Sequence, residues 1–388
     1  MTAATPEDEA AQQRAMGVLM GNALRDSGGF LSFPAFMQLA LYAPGLGYYS
    51  AGARKLGPGG DFTTAPELSP LFGGCLARQV AQVLGVLGGG DVLELGAGSG
   101  RLAFDVLQAL AAVGSLPGRY AILEVSADLR QRQQALLAQL PQTLAGRVVF
   151  LDAPPAAAWQ GVLLANEVLD ALPVERFAVR EEGLMQCGVV LSAEGSLAWG
   201  ERLAPPALAS ELARLQTGLP VPMAPGHCSE ACLLAGPWVA SVTAHLQRGL
   251  ALFIDYGMPR AEYYHPLRSA GTLRCHYQHQ AHEDVFFRPG LQDLTAWVDF
   301  TRIAEAADTC GLEVAGYTTQ AAFLLATGIE AEVARQEDAL ARARAASQAR
   351  QLLMPDEMGE AFKVMGLARG LEDLDLDGFS LRDLRPRL

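Results

Sequence analysis

The chain has 388 residues, half of them hydrophobic, enough apolar material for one large or two modest cores and too much for extensive disorder. Acidic side chains number 42 against 29 basic ones, a formal net charge of −13. Phosphate contacts need clustered Lys and Arg, so no nucleic-acid partner is expected, whereas a basic protein substrate is permitted.

Glu7, Asp8 and Glu9 stand at the N-terminus with no long apolar run. Neither a secretory signal nor an acid-poor, arginine-rich transit peptide has this form, and a cytoplasmic location is expected. Residues 7–42 read as helical, broken at Gly28-Gly29, with helical apolar spacing at Phe36, Leu39 and Ala40. Residues 43–74 are rich in Gly and Pro, and a connection this long is usually functional or disordered. Its aromatics Tyr48, Tyr49, Phe62 and Phe72 favour an ordered, packed loop.

Strands and helices then alternate. Strands are expected at 92–95, 120–125, 148–151, 161–165 and 250–254, with helices near 102–113 and 128–140. Such alternation implies an α/β fold, a parallel sheet with helices on both faces. The stretch 174–204 alternates in polarity and carries turn signals at Glu182-Gly183 and Glu194-Gly195, so it predicts antiparallel strands inserted after the fourth parallel strand. Further helices are expected near 207–216, 237–247, 301–310 and 329–353. No apolar run approaches the ~18 residues of a membrane span. The resulting division is a helical N-terminal extension with a cofactor-covering loop (1–75), the first part of the core (76–173), an inserted antiparallel β/helical region (174–248), the second part of the core with a substrate loop (249–330) and a helical tail (331–388).

The segment from Asp91 to Gly100 carries the clearest chemistry. A hydrophobic strand runs into a turn holding Gly96, Ala97, Gly98 and Gly100, two residues after Glu94. Glycine allows positive φ and lets a ligand approach the backbone, as at the carboxyl ends of strands in open α/β sheets. A dinucleotide fingerprint places its third glycine one position later, and no Walker lysine is present. E-x-G-x-G-x-G is instead the pattern associated with S-adenosyl-L-methionine enzymes. Glu94 stabilises the turn or reaches the ligand's ammonium through water. Glu124, where the second strand ends, suits a pair of vicinal ribose hydroxyls, and Asp152, where the third ends, suits an adenine amino group. The alternative for both is a polar strand end.

The fourth strand ends in Asn166-Glu167-Val168-Leu169-Asp170. Carboxylates beside a buried strand need cations or donors, and the planar fork of an arginine guanidinium is a natural partner. Glu167 and Asp170 are the candidates to grip such an acceptor, with Asn166 bonding it or shaping the loop. Capping of the following turn is the alternative. Asp255, ending the fifth strand, lines the same pocket or caps the next element. Six cysteines are sparse for this length and point to a reducing compartment. Neither the C-x3-C of Cys228 and Cys232 nor His276, His279 and His282 has a recognised metal-binding pattern, so no metal is expected.

The segments FMQLALYAPGLGYYS, GDFTTAPELSPLFG, VLELGAGSG, ANEVLDALPV, LFIDYG, GTLRCH and QDLTAWVDF occur in this order. In these the chain resembles the MidA-like methyltransferases, relatives of the mitochondrial complex I assembly factor with protein arginine methyltransferase activity. The resemblance runs from about residue 33 to the TTQAAFLLATGI region. It implies a class I S-adenosyl-L-methionine-dependent methyltransferase, Rossmann-like, with an extension and insertions. It also implies a protein substrate, for the mitochondrial relative an arginine of a complex I subunit; a homodimer is compatible with it. Residues 60–67 would lie over the cofactor, with Asp61 and Thr64 as contacts; a tight turn and a helix start at Ser69-Pro70 is the other reading. Trp297 stands where the family often has His or Asp, so no acid-base role is expected there. A small-molecule methyltransferase and a non-catalytic assembly chaperone are the competing functions. A nicotinamide oxidoreductase is disfavoured by the early third glycine.

Overall fold

The computed structural model describes residues 6–51, 64–371 and 374–388. Seven strands of its central sheet lie in line: β1 (Asp91–Leu95), β2 (Tyr120–Leu123), β3 (Val148–Leu151), β4 (Trp159–Asn166), β5 (Leu246–Met258), β6 (Glu313–Thr319) and β7 (Phe362–Arg369). Their spatial order is β6-β7-β5-β4-β1-β2-β3. The strands from β1 to β5 are parallel, while β7 is antiparallel to both neighbours. The chain runs from β1 outward through β2 and β3, then returns to set β4 against the other side of β1. The order therefore reverses between β1 and β4, and a crevice opens there at the carboxyl ends of the strands.

The β4 sequence shows why the sheet is covered on both faces. Val162 and Leu164 enter one apolar cluster, Leu163 and Ala165 the other, and all four are buried. Such a strand has no polar side to offer water, so it reads as a continuous apolar run. The helix Pro70–Leu87 packs on the first face. Ser69 caps it by accepting from the Leu71 N–H, Pro70 occupies its first turn, and Gly88 ends it in the left-handed region. It is long and apolar enough to cross a membrane, contrary to the expectation that no such stretch exists. With 61% of that stretch buried it is built as a core helix. Gly73 lets it approach the helix Arg101–Ala112 closely, for a Cβ there would lie 2.6 Å from Asp105 Cβ.

A second layer forms from three separate stretches. The helices Pro6–Asp26 and Phe33–Tyr42 flank a two-residue strand, Leu31–Ser32, that pairs with Gly183–Leu191 of the insertion. The insertion supplies the expected antiparallel strands, Glu175–Arg180, Gly183–Leu191 and Leu197–Leu203, joined by Cys228–Ala231. A small sheet after β5 (Arg274–Tyr277, Gln280–His282, Asp293–Thr295) completes the layer. Phe33, Phe36, Met37, Val189 and Leu294 share one core across the three stretches.

The expected helical tail at 331–388 is corrected. The Ala/Arg-rich stretch is helical at Ile329–Ala334 and Ala339–Leu353, where Asp338 caps the second helix. Beyond it β7 inserts between β5 and β6. The apolar run FKVMGLAR is of strand length, and pairing on both sides satisfies its backbone groups. The helix expected at 237–247 is Ala235–Thr243, and β5 begins already at Leu246.

Candidate active site

At the β1–β4 reversal lies a cleft of about 600 Å³, within the range of small-molecule sites. Its floor is the glycine turn. Gly96, Gly98 and Gly100 all have positive φ, at 61°, 54° and 88°. Any other residue there would be strained, and a Cβ on Gly96 would press Val168 Cγ2 at 3.2 Å. Ala97 and Ser99 line the cleft beside them.

Glu94 is buried on β1 and accepts from the Tyr120 hydroxyl at 2.6 Å. Burial pushes its pKa up to about 7, and that hydrogen bond lowers it in part. Glu124 lies at the mouth of the same floor. One carboxylate oxygen accepts from the Ser126 N–H at 2.8 Å and the other from Gln133 Nε2 at 2.9 Å. Gln133 also donates to the Gly98 carbonyl, tying the glycine turn to the Glu124 loop. Burial raises the Glu124 pKa. Each carboxylate oxygen keeps a lone pair, so Glu124 can still accept a pair of hydroxyls.

Asp152 is not brought into the cleft. Its side chain is 90% exposed and pairs with Arg130 at 2.7 Å. That arginine, on the helix Ala127–Leu137, also donates to the Leu151 and Glu124 carbonyls, so it holds the end of β3 turned outward. The adenine contact expected of Asp152 is corrected accordingly. Thr64 does line the cleft, whereas Asp61 lies outside the described residues.

After β4 the chain makes a tight turn. Glu167 takes φ 53°, an uncommon conformation for a residue with a side chain. Its carboxylate is enclosed at the edge of the cleft, where Asn166 Nδ2 donates to Oε1 at 3.0 Å and the Ala65 N–H also bonds it. Burial, and then the neighbouring Asp170, push its pKa up to about 8. Asp170 is not a lining residue. It is buried behind the turn, where one oxygen accepts from the Tyr256 hydroxyl and the other, Oδ1, has no partner. Its pKa is pushed up to about 6, chiefly by burial. Asp255, within β5, is not a lining residue and caps no following element: Oδ2 accepts from the Leu169 and Asp170 N–H groups at 3.0 and 3.2 Å and so holds the turn after β4. Among the described residues, none of Glu167, Asp170 and Asp255 has a cationic partner.

Several further residues line the cleft to which the sequence assigns no individual role, although some lie in the motifs FMQLALYAPGLGYYS and GDFTTAPELSPLFG. Glu67, on the short helix Ala65–Leu68, accepts from the Ser99 hydroxyl. That helix therefore touches both the glycine turn and Glu167. Gln38, Tyr42 and Tyr49 reach the cleft from the N-terminal extension, and Leu234, Pro237 and Trp238 from the far side. Only the helical i, i+4 spacing of Gln38 and Tyr42 places those two on one face. His276 and His282 sit on the small hairpin after β5, and no group of three metal-binding side chains occurs among the described residues.

The chain is similar to known proteins over most of its length. Residues 75–318 match a family of S-adenosyl-L-methionine-dependent methyltransferases. Protein arginine methyltransferase NDUFAF7, mitochondrial, from Danio rerio is 30% identical, covering 86% of this chain and 82% of its own. The Homo sapiens protein of that name is 29% identical over 88% and 80%. A crystal structure from Burkholderia thailandensis, bound to S-adenosyl-homocysteine, is 44% identical over the whole of both chains with a TM-score of 0.94. A second Burkholderia thailandensis structure is 42% identical, with a TM-score of 0.91. The chain belongs to the MidA-like family of S-adenosyl-L-methionine-dependent methyltransferases. The cytoplasmic location read from the N-terminus is overturned, because these curated relatives are named as mitochondrial proteins.

Proposed function

We propose that this methyltransferase acts on an arginine side chain of a protein, and that Glu167 grips the guanidinium. The observation that carries the reading is an enclosed carboxylate with no cationic partner among the described residues, aimed into the cleft from a strained turn. Desolvating a carboxylate is costly unless a cation arrives to meet it. The relatives named as protein arginine methyltransferases supply the same acceptor. A subunit of respiratory complex I is the target suggested by the sequence resemblance.

Gly96, Gly98 and Gly100 would cradle the cofactor, Glu124 would accept its ribose hydroxyls, and Glu94, Ala97 and Thr64 would complete its wall. The buried acidic surround suits a sulfonium cation. Bound S-adenosyl-L-methionine supplies an electrophilic methyl group. The chain's part is orientation and charge. Glu167 draws guanidinium charge away from the reacting nitrogen, holds that nitrogen in near-attack geometry, and takes up on Oε2 the proton it loses. Asn166 orients Glu167 through Oε1. Asp170, out of the cleft, adds negative potential and anchors the turn. The test is transfer of a radiolabelled methyl group into a matched lysate, followed by mass spectrometry of the labelled residue. Label on lysine, on histidine or on a small molecule, and not on arginine, would refute the arginine assignment.

A further inference from the structure

We propose that Tyr42 and Tyr49 of the N-terminal extension form an aromatic face of the acceptor subsite, one that selects a planar guanidinium over a compact ammonium. This deepens the arginine reading above and rests on it. Both rings line the cleft that holds Glu167. They lie nearly parallel, 26° apart in plane, with centroids separated by 5.6 Å. Tyr48 sets the contrast: it meets Tyr49 edge-on at 80° and is wholly buried, as a core tyrosine is.

Each hydroxyl is fastened behind the ring. Tyr42 donates to the Ala171 carbonyl at 2.9 Å, and Tyr49 donates to Asp293 Oδ1 at 3.0 Å. Two consequences follow from those bonds. The rings cannot swing away and stay stacked on one another in the wall of the cleft. The bond to Ala171 also joins the tyrosine wall to the turn that carries Glu167, which puts ring and carboxylate on one support. Burial, followed by the charges of Asp170 and Asp293, raises both phenol pKa values and keeps the rings neutral. A guanidinium is flat, weakly hydrated and able to stack on a π face while its edge bonds a carboxylate; an ammonium is a compact, strongly hydrated charge. A carboxylate binds both, favouring the guanidinium only through its fork geometry. A ring face adds to that preference.

The test measures steady-state methylation of a degenerate arginine-peptide library and its lysine counterpart by the full chain and its Tyr42→Leu, Tyr49→Leu, Tyr42→Phe and Tyr49→Phe variants. The Leu variants should raise KM for arginine peptides about ten-fold and narrow the arginine-over-lysine preference, while Phe recovers most of the loss. S-adenosyl-homocysteine affinity, read by calorimetry, should hold in all four. Should a Leu variant fail to fold, the unbranched Met variant carries the same comparison. Wild-type KM in the Leu variants overturns the proposal. Equal losses for Leu and Phe also overturn it, since the hydroxyl tethers would then be the whole contribution. Weakened S-adenosyl-homocysteine binding assigns the rings to the cofactor and overturns it as well. A wild type that methylates no arginine peptide sinks the arginine reading itself, an outcome separate from these three.

Discussion

Replacing Glu167 with Gln removes the charge at the acceptor site and keeps its shape. The Gln carbonyl can still accept from Asn166 Nδ2, so the turn should survive. In the folded protein the carboxyl pKa rises from 4.5 to about 8. At ~1.4 kcal/mol per pH unit, full ionisation in a dry site would cost ~5 kcal/mol. Water in the open cleft screens this, to about 1–2 kcal/mol. The sign follows from proton counting. Between pH 4.5 and about 8 the folded state binds more protons at this group than the unfolded state. Its contribution is therefore fully present below pH 4.5 and is lost as pH rises through about 8. Urea unfolding of the ligand-free protein should find Glu167→Gln more stable than wild type at pH 8 and level with it near pH 4.5. Methyl transfer should move the opposite way. Two charge-assisted hydrogen bonds at ~1.5–3 kcal/mol each amount to a loss of about 10²–10⁴-fold in kcat/KM. The wild-type kcat/KM profile should rise with pH through about 8, and the variant profile should lack that limb. Calorimetry should show S-adenosyl-homocysteine affinity unchanged. Full transfer activity in the variant, or lost stability at pH 8, would refute the reasoning.

Glu124→Gln should weaken S-adenosyl-homocysteine binding about 10–100-fold, because one hydroxyl loses a charged acceptor, while Asp152→Asn, at an exposed ion pair, should leave calorimetric affinity unchanged. Gly100→Ala meets both a left-handed backbone and Gln133 Cγ at 3.2 Å; it should cost ~1–2 kcal/mol in urea unfolding and loosen the cofactor turn. Asp255→Ala strands the buried Leu169 and Asp170 N–H groups, so it should destabilise by about 2–3 kcal/mol and slow transfer without changing cofactor affinity. Gly73→Val forces the helices Pro70–Leu87 and Arg101–Ala112 apart and should cost ~1–3 kcal/mol, detectable as a lower denaturation midpoint.

What the sequence determined by itself was whatever neighbouring residues encode together. Three glycines and a preceding carboxylate announce a cofactor turn, because backbone torsion is a property of each residue. The continuous apolar run of β4 announces a doubly covered strand, and Glu182-Gly183 and Glu194-Gly195 announce the turns of the insertion, for the same local reason. Decisions about direction and distance came only with the tertiary structure. Arg130 turns Asp152 outward, and Asp255 claims the N–H groups of the β4 turn, so that of Glu167, Asp170 and Asp255 it is Glu167 that lines the cleft, beside Glu67, Glu94 and Glu124. The strand β7 lies more than a hundred residues from β5 in the chain and pairs with it antiparallel across that separation. Tyr42 and Tyr49 reach the site from an extension whose motif FMQLALYAPGLGYYS carries a resemblance but gives neither ring a role. Such contacts depend on which surfaces meet once the hydrophobic layers have closed, and no local pattern along the chain records that meeting.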